Sequence, residues 1–349
     1  MSGNSLDILQ SGNWQFHEKS LGNFVYLTSL PARDAQFVDL PDDLPIELRT
    51  TLRKSGIDRL YAHQELAWRF YRSHKDQVIV TGTASGKSLC YQLAALDGAL
   101  SAHNAKALFI FPTKALAQDQ LASMNALVAA LPENVQPLVH PFVYDGDTPS
   151  GKRKVVREQA NLLITNPDML HLGILPRHNN WADFFANLKL VVLDEIHIYR
   201  GVFGSHIANV IRRLNRICEY YGSHPVFVLT SATIANAAEH ARALLDVASI
   251  ETVALDRSAK GERIFGIYNP PIVNQELGLR NSVLFESLEL LQPLIASGLQ
   301  TIAFGRSRKT VELIFHYFRR YYPQLAAHVA TYRAGYLPAT RRAIEASLR

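Results

Sequence analysis

Five short apolar runs, at residues 78–81, 107–111, 162–165, 190–193 and 226–229, constrain the fold of this 349-residue chain more than any other feature. Each is long enough for one strand and too short for a helix, and the stretches between them leave room for crossover helices. Runs that are apolar throughout, with no polar alternation, mark strands buried on both faces. The expected architecture is therefore α/β, a parallel sheet with helices on both faces. In such sheets ligands bind beyond the carboxyl ends of the strands, and the chemically loaded residues of this chain fall there.

The first run leads into Thr81-Gly82-Thr83-Ala84-Ser85-Gly86-Lys87-Ser88. Small residues here let backbone N–H groups wrap phosphate oxygens at the start of a helix, with Lys87 meeting the β- and γ-phosphates and Ser88 a Mg²⁺ ion. The spacing departs from G-x-x-x-x-G-K-[ST], because Thr81 stands where the first glycine is expected. The run at 190–193 leads into Asp194-Glu195-Ile196-His197. Asp194 is expected to reach the metal, and Glu195 to orient or deprotonate an attacking water. A Gly-Lys-Ser turn alone is common. Together with an acidic pair that follows its own strand, it points to a nucleoside triphosphate site.

Other polar segments have a plain reading as caps and turns. Thr113 precedes a helical pattern at 115–128 and suits an N-cap. Thr165-Asn166-Pro167-Asp168 likewise starts a helix, and Asp145-Gly146-Asp147 is a turn. Ser231-Ala232-Thr233 ends a strand, and Gln64 stands on a helical segment ahead of the phosphate loop. Cys90 and Cys218 lie far apart with no metal-ligand spacing, so buried thiols on helices are expected. No histidine pair has the spacing that favours zinc.

In order along the chain, Arg59-Leu60-Tyr61-Ala62-His63-Gln64, the phosphate loop, Phe111-Pro112-Thr113-Lys114-Ala115-Leu116, Thr165-Asn166-Pro167-Asp168, the Asp194-Glu195-Ile196-His197 box and Ser231-Ala232-Thr233 resemble the motifs of superfamily 2 helicases of the DEAD/DEAH-box type. Ala303-Phe304-Gly305-Arg306-Ser307-Arg308 resembles the first strand and turn of their second motor domain. The resemblance implies a RecA-like domain with ATP and Mg²⁺ as cofactors, ligated by Ser88 and Asp194. It implies adenine recognition by Gln64, phosphate binding by Thr83, Ala84, Ser85, Gly86, Lys87 and Ser88, and coupling of hydrolysis to domain movement by His197, Ser231 and Thr233. Nucleic-acid contacts would come from Pro112, Thr113, Lys114, Thr165, Pro167 and Arg308. The segments around Tyr199-Arg200-Gly201-Val202-Phe203-Gly204-Ser205-His206 and Tyr332-Arg333-Ala334-Gly335-Tyr336 look closest to a DNA-repair group that carries a zinc-binding C-terminal extension, which favours DNA as partner.

The expected organisation is a lead-in at 1–55, a first RecA-like domain at 56–256, and a linker with an incomplete second RecA-like domain at 257–349, its first strand at 300–304. Nothing after Arg308 matches the family's later motifs, including the one that supplies an arginine finger. A missing C-terminal half or a partner protein would then be needed, since loss of such an arginine costs about 10³–10⁵ in rate. Residues 281–349 hold nine Lys/Arg against four Asp/Glu and so carry the whole net charge of +5, as a phosphate-tracking surface or merely as solvated helix faces. No apolar run approaches the roughly 20 residues that span a bilayer, and 1–13 lack a signal-peptide pattern. A cytoplasmic protein with no membrane partner is expected. The residues themselves do not separate a DNA helicase from an RNA helicase or from a hydrolysis-deficient binding fragment. A small-metabolite kinase would leave the segments at 112–116, 165–168 and 231–233 unexplained.

Overall fold

The computed structural model describes residues 16, 18–82, 84–102, 104–333, 335–336 and 338–348. The chain forms two compact units, Arg33–Lys260 and a second made from the segments before Arg33 and after Lys260. The first is built on seven strands: β1 Gln77–Val80, β2 Lys106–Ile110, β3 Pro141–Val143, β4 Leu162–Thr165, β5 Leu188–Leu193, β6 Val226–Ser231 and β7 Glu251–Val253. They lie in the order β7-β1-β6-β5-β2-β4-β3, and every pairing is parallel.

Alternate residues of each strand face opposite sides, and the packing follows this period. Val78 and Val80 of β1, Leu108 and Ile110 of β2 and Val191 and Leu193 of β5 join one core. Ile79, Phe109 and Val192 join the other. The first core is covered by α6 Gly201–Tyr220 and α7 Ala237–Leu245. The second is covered by α1 Ile46–Lys54, α2 Ala62–Arg72, α3 Lys87–Ser101 and α4 Lys114–Ala130. The α5 helix, Ser150–Gln159, adds Val156 to the first core. Cys90 and Cys218 are buried in α3 and α6, and burial pushes their thiols up to about 12 and about 11.

Residues 33–55 belong to the first unit. Phe37–Asp39 pairs antiparallel with Arg59–Tyr61, and α1 drives Leu48 and Leu52 into the sheet core. Phe24–Leu30 instead pairs antiparallel with Arg263–Tyr268 in the second unit. That unit continues through α8 Val283–Ala296 and α9 Arg308–Tyr321. The strand expected at 300–304 is not formed, and Ile302 and Phe304 are exposed. Without a paired edge or a covered face, an extended segment has nothing to offset its ordering cost. No helix among the described residues is long and apolar enough to cross a membrane.

The α2 and α3 helices are locked together by Asp97, which is 1% exposed. It accepts the Trp68 indole N–H at 2.9 Å and the Ser101 hydroxyl at 2.8 Å, and pairs with Arg72 at 3.4 Å. Asp97→Ala would leave a buried indole N–H without a partner, so a loss of about 1–3 kcal/mol is expected. Urea unfolding should show this as a lower midpoint with an unchanged slope.

Candidate active site

The turn between β1 and α3 is held in an unusual backbone path. Ala84 (φ 54°) and Gly86 (φ 76°) both take the left-handed conformation. At position 86 a side chain is also sterically excluded, because a Cβ would stand 2.5 Å from Gln64 Nε2. No side chain caps α3, which leaves its first-turn N–H groups for an anion. The Ser85 hydroxyl donates to the Gly82 carbonyl at 2.8 Å, and the Thr81 hydroxyl lies 2.7 Å from it as the remaining donor. Lys87 Nζ donates to the strand-end carbonyls of Thr81 (3.2 Å) and Ser231 (3.4 Å). Thr83 lies outside the described residues.

The Ser88 hydroxyl oxygen is approached by the Tyr91 phenol at 3.1 Å and by Gln120 Nε2 at 3.2 Å, and Tyr91 also reaches Gln120 Oε1 at 2.9 Å. Sequence reasoning missed both partners. Tyr91 follows Ser88 by one helical turn, a spacing that signals proximity, but Gln120 sits on α4 and carries no local signal. Burial, with Asp194 adding to it, pushes the Tyr91 phenol well above its ordinary range, so it stays a donor.

Across the sheet, β5 delivers Asp194 and Glu195. The Thr230 hydroxyl, on neighbouring β6, donates to Asp194 and accepts the Glu195 N–H at 3.3 Å. Glu195 itself is left-handed (φ 54°, ψ 47°), a conformation costing about 1–2 kcal/mol for a side-chain-bearing residue. The turn sets its carboxylate 3.1 Å from His197 Nδ1. That same nitrogen lies 3.3 Å from the Ala232 N–H. One nitrogen cannot serve both: unprotonated it accepts from Ala232, protonated it donates to Glu195. Ser231 is buried and its hydroxyl has no hydrogen-bond partner among the described residues, while Thr233 is exposed. Asp194 is also buried. Desolvation, reinforced by Glu195, raises its pKa, against the Thr230 hydrogen bond and Lys87.

These donors suit Mg²⁺ with a triphosphate. No group of three or more His, Cys, Asp or Glu among the described residues could cage a metal. A Mg²⁺ ion that takes one or two protein oxygens and fills its shell from phosphate and water fits the Ser88 hydroxyl and the Asp194 carboxylate. The orphaned Ser231 hydroxyl beside Lys87 leaves a further polar atom for a ligand.

Residues 61–241 match the DEAD/DEAH box helicase family. The chain belongs to the DEAD/DEAH box helicases. It is 43% identical over 329 residues to a Bacillus subtilis protein described as an uncharacterized ATP-dependent helicase, YprA, covering 94% of this chain and 43% of that protein. It is 37% identical over 324 residues to the ATP-dependent helicase HRQ1 of Saccharomyces cerevisiae, covering 91% of this chain and 30% of that one. A crystal structure of the DUF1998 helicase MrfA bound to DNA superimposes with a TM-score of 0.87 and 42% identity, over 100% of this chain and 45% of that one. MrfA bound to DNA and AMPPNP gives 0.87 and 41%, over 100% and 47%. The chain thus spans less than half the length of these relatives.

The other motif residues have these surroundings. The buried Gln64 accepts the Tyr61 N–H at 2.9 Å, capping the start of its own helix, and donates to the Gly86 carbonyl at 3.1 Å, so one end of its amide braces the phosphate loop. Thr165 is buried and donates to the Tyr144 carbonyl at 2.7 Å, and Pro167 is buried behind the Asn166 cap, which accepts the Met169 N–H at 2.9 Å. Both shape this turn. Thr113 caps α4 by accepting the Leu116 N–H at 3.3 Å, beside a half-buried Pro112. The exposed Lys114 pairs with Asp147 at 2.7 Å. Arg308 is the exposed first residue of α9, in the second unit.

The raised pKa of Asp194 gives a stability test. Its carboxyl ionises more easily unfolded than folded, so stability falls as pH rises from the ordinary carboxylate range through the raised value, then levels. Asp194→Asn removes this term and still offers an oxygen to Thr230. Its melting temperature should match the wild type near pH 4 and equal or exceed it at pH 7, as scanning calorimetry would record.

Proposed function

We propose that this chain is the ATP-hydrolysing, strand-gripping portion of a DNA helicase that uses hydrolysis to move along one strand. What carries the proposal is the match of the whole chain, at 42% identity and a TM-score of 0.87, to a helicase structure holding DNA. The phosphate-loop and acidic-box geometry supports it. Lys87 exchanges the Thr81 and Ser231 carbonyls for phosphate oxygens, and α3 offers its uncapped N–H groups. Ser88 and Asp194 would hold Mg²⁺, whose charge would offset that of the phosphates. Glu195 orients the attacking water and takes its proton. His197, by choosing between Glu195 and Ala232, links this carboxylate to the end of β6.

On the nucleic-acid side, Lys114 and the capped start of α4 would grip phosphates, contacts that position a strand without reading its sequence. Asp147 competes with phosphate for Lys114. In this reading residues 56–256 are a first motor domain and 257–349 part of a second, whose arginine finger is supplied from outside these residues.

Steady-state ATP turnover without nucleic acid, with single-stranded DNA and with single-stranded RNA tests the proposal. DNA should stimulate most, and Lys87→Ala should lower turnover by about 100-fold or more, as for loss of a transition-state donor. Stronger stimulation by RNA would reassign the substrate, and ATP binding without turnover would reassign the chain as a binding fragment. Lys114→Ala should weaken DNA binding and reduce the slope of log affinity against log salt by about one.

A further inference from the structure

The segment by which the chain leaves the first unit packs on the phosphate loop through two side chains outside the roles assigned above. His63, at the start of α2, is 2% exposed and uses both ring nitrogens. Its Nδ1 lies 3.3 Å from the Arg257 N–H and must accept from it. The proton is thereby fixed on Nε2, which donates to the Ser85 carbonyl at 3.0 Å. Tyr61 stacks on the ring at 5.6 Å and fixes its plane. Burial, ahead of the opposing influences of Ser85 and Asp256, lowers the basicity of His63 and favours this neutral form.

Asp256 precedes Arg257. Its Oδ1 accepts the Ser258 N–H (3.0 Å) and hydroxyl (2.6 Å) and faces Arg33 at 3.4 Å, while Oδ2 faces Lys260 at 3.4 Å. Burial opposes its charge, but Ser258 and Lys260 outweigh burial and hold the carboxyl at about 2. Oδ2 also lies against the phosphate loop, since a Cβ on Gly82 would be 3.2 Å away. Arg33 and Lys260, the first and last residues of the unit, exchange two backbone hydrogen bonds of 2.8 Å. The loop is therefore bonded at Ser85 by His63, which also accepts from Arg257 of the exit segment, while Asp256 of that segment lies beside Gly82.

We propose that His63 and Asp256 are positioning residues of the nucleotide site, which hold Gly82 and Ser85 against residues 256–260 in the geometry that admits a triphosphate. This rests on the reading of residues 81–88 as a phosphate loop. Nucleotide affinity and the order of the exit segment are then linked reciprocally, because whatever fixes the loop also fixes the segment bonded to it.

Calorimetric binding of Mg²⁺-ATP to the 349-residue chain tests this, alongside hydrogen exchange of residues 256–260. His63→Ala should weaken binding about tenfold, the scale of one net hydrogen bond. His63→Gln, whose amide N–H can still reach the Ser85 carbonyl, should recover most of that loss. Asp256→Asn and Gly82→Ala, which disturb the other contact, should each weaken binding about threefold or more. ATP should slow exchange at 256–260 in the wild type and not in His63→Ala. Wild-type affinity in folded His63→Ala and Asp256→Asn, with a changed melting temperature alone, would overturn the inference in favour of a structural role. So would a His63→Gln no better than His63→Ala. A wild-type chain that binds no ATP, or binds it as well with Lys87→Ala, would overturn the phosphate-loop reading and this inference with it.

Discussion

Burial of the central sheet on both faces is the constraint on which the site depends. Strands covered on each side leave little room for charged side chains away from their amino-terminal ends, so polar chemistry is driven to the turns at their carboxyl ends. Parallel pairing brings those turns to one edge. Thr81, Asp194 and Ser231 arrive together because β1, β5 and β6 are neighbours in register, although the chain visits them far apart. The shared Thr230 hydroxyl shows how tightly this edge is specified, since one oxygen serves both Asp194 and Glu195.

Electrostatics at that edge is arranged around a charge that the protein alone does not supply. Lys87 is solvated by two backbone carbonyls and Asp194 is desolvated beside a second carboxylate. On the proposed reading, a magnesium-bound polyphosphate would offset both, giving the ammonium an anion and the carboxylates a cation. The site is therefore most comfortable when full. This is a physical reason for affinity that no single contact expresses.

Much of this was legible in the residues. Local signals were reliable where physics is local: the apolar runs became strands, Thr113 and Asn166 became caps, and the phosphate loop fell between strand and helix. The failures were non-local. The pairing of Phe24–Leu30 with Arg263–Tyr268 joins opposite ends of the chain, and the apolar run at 300–304 has strand composition but no strand to pair with. Motif order also named residues without giving their exposure. Thr165 and Pro167 have the expected places in sequence, and both are buried. Tyr91 and Gln120, which carry no motif of their own, meet Ser88 because α3 and α4 cover the same face.

The left-handed backbone at Glu195 bears on how this site can change. Glycine takes that conformation freely and asparagine with little penalty, whereas glutamate resists it. Variants selected only for resistance to heat would drift toward glycine or asparagine at this position, and those selected for turnover would return to glutamate. On the proposed reading of Glu195, durability and catalysis would pull a single residue in opposite directions.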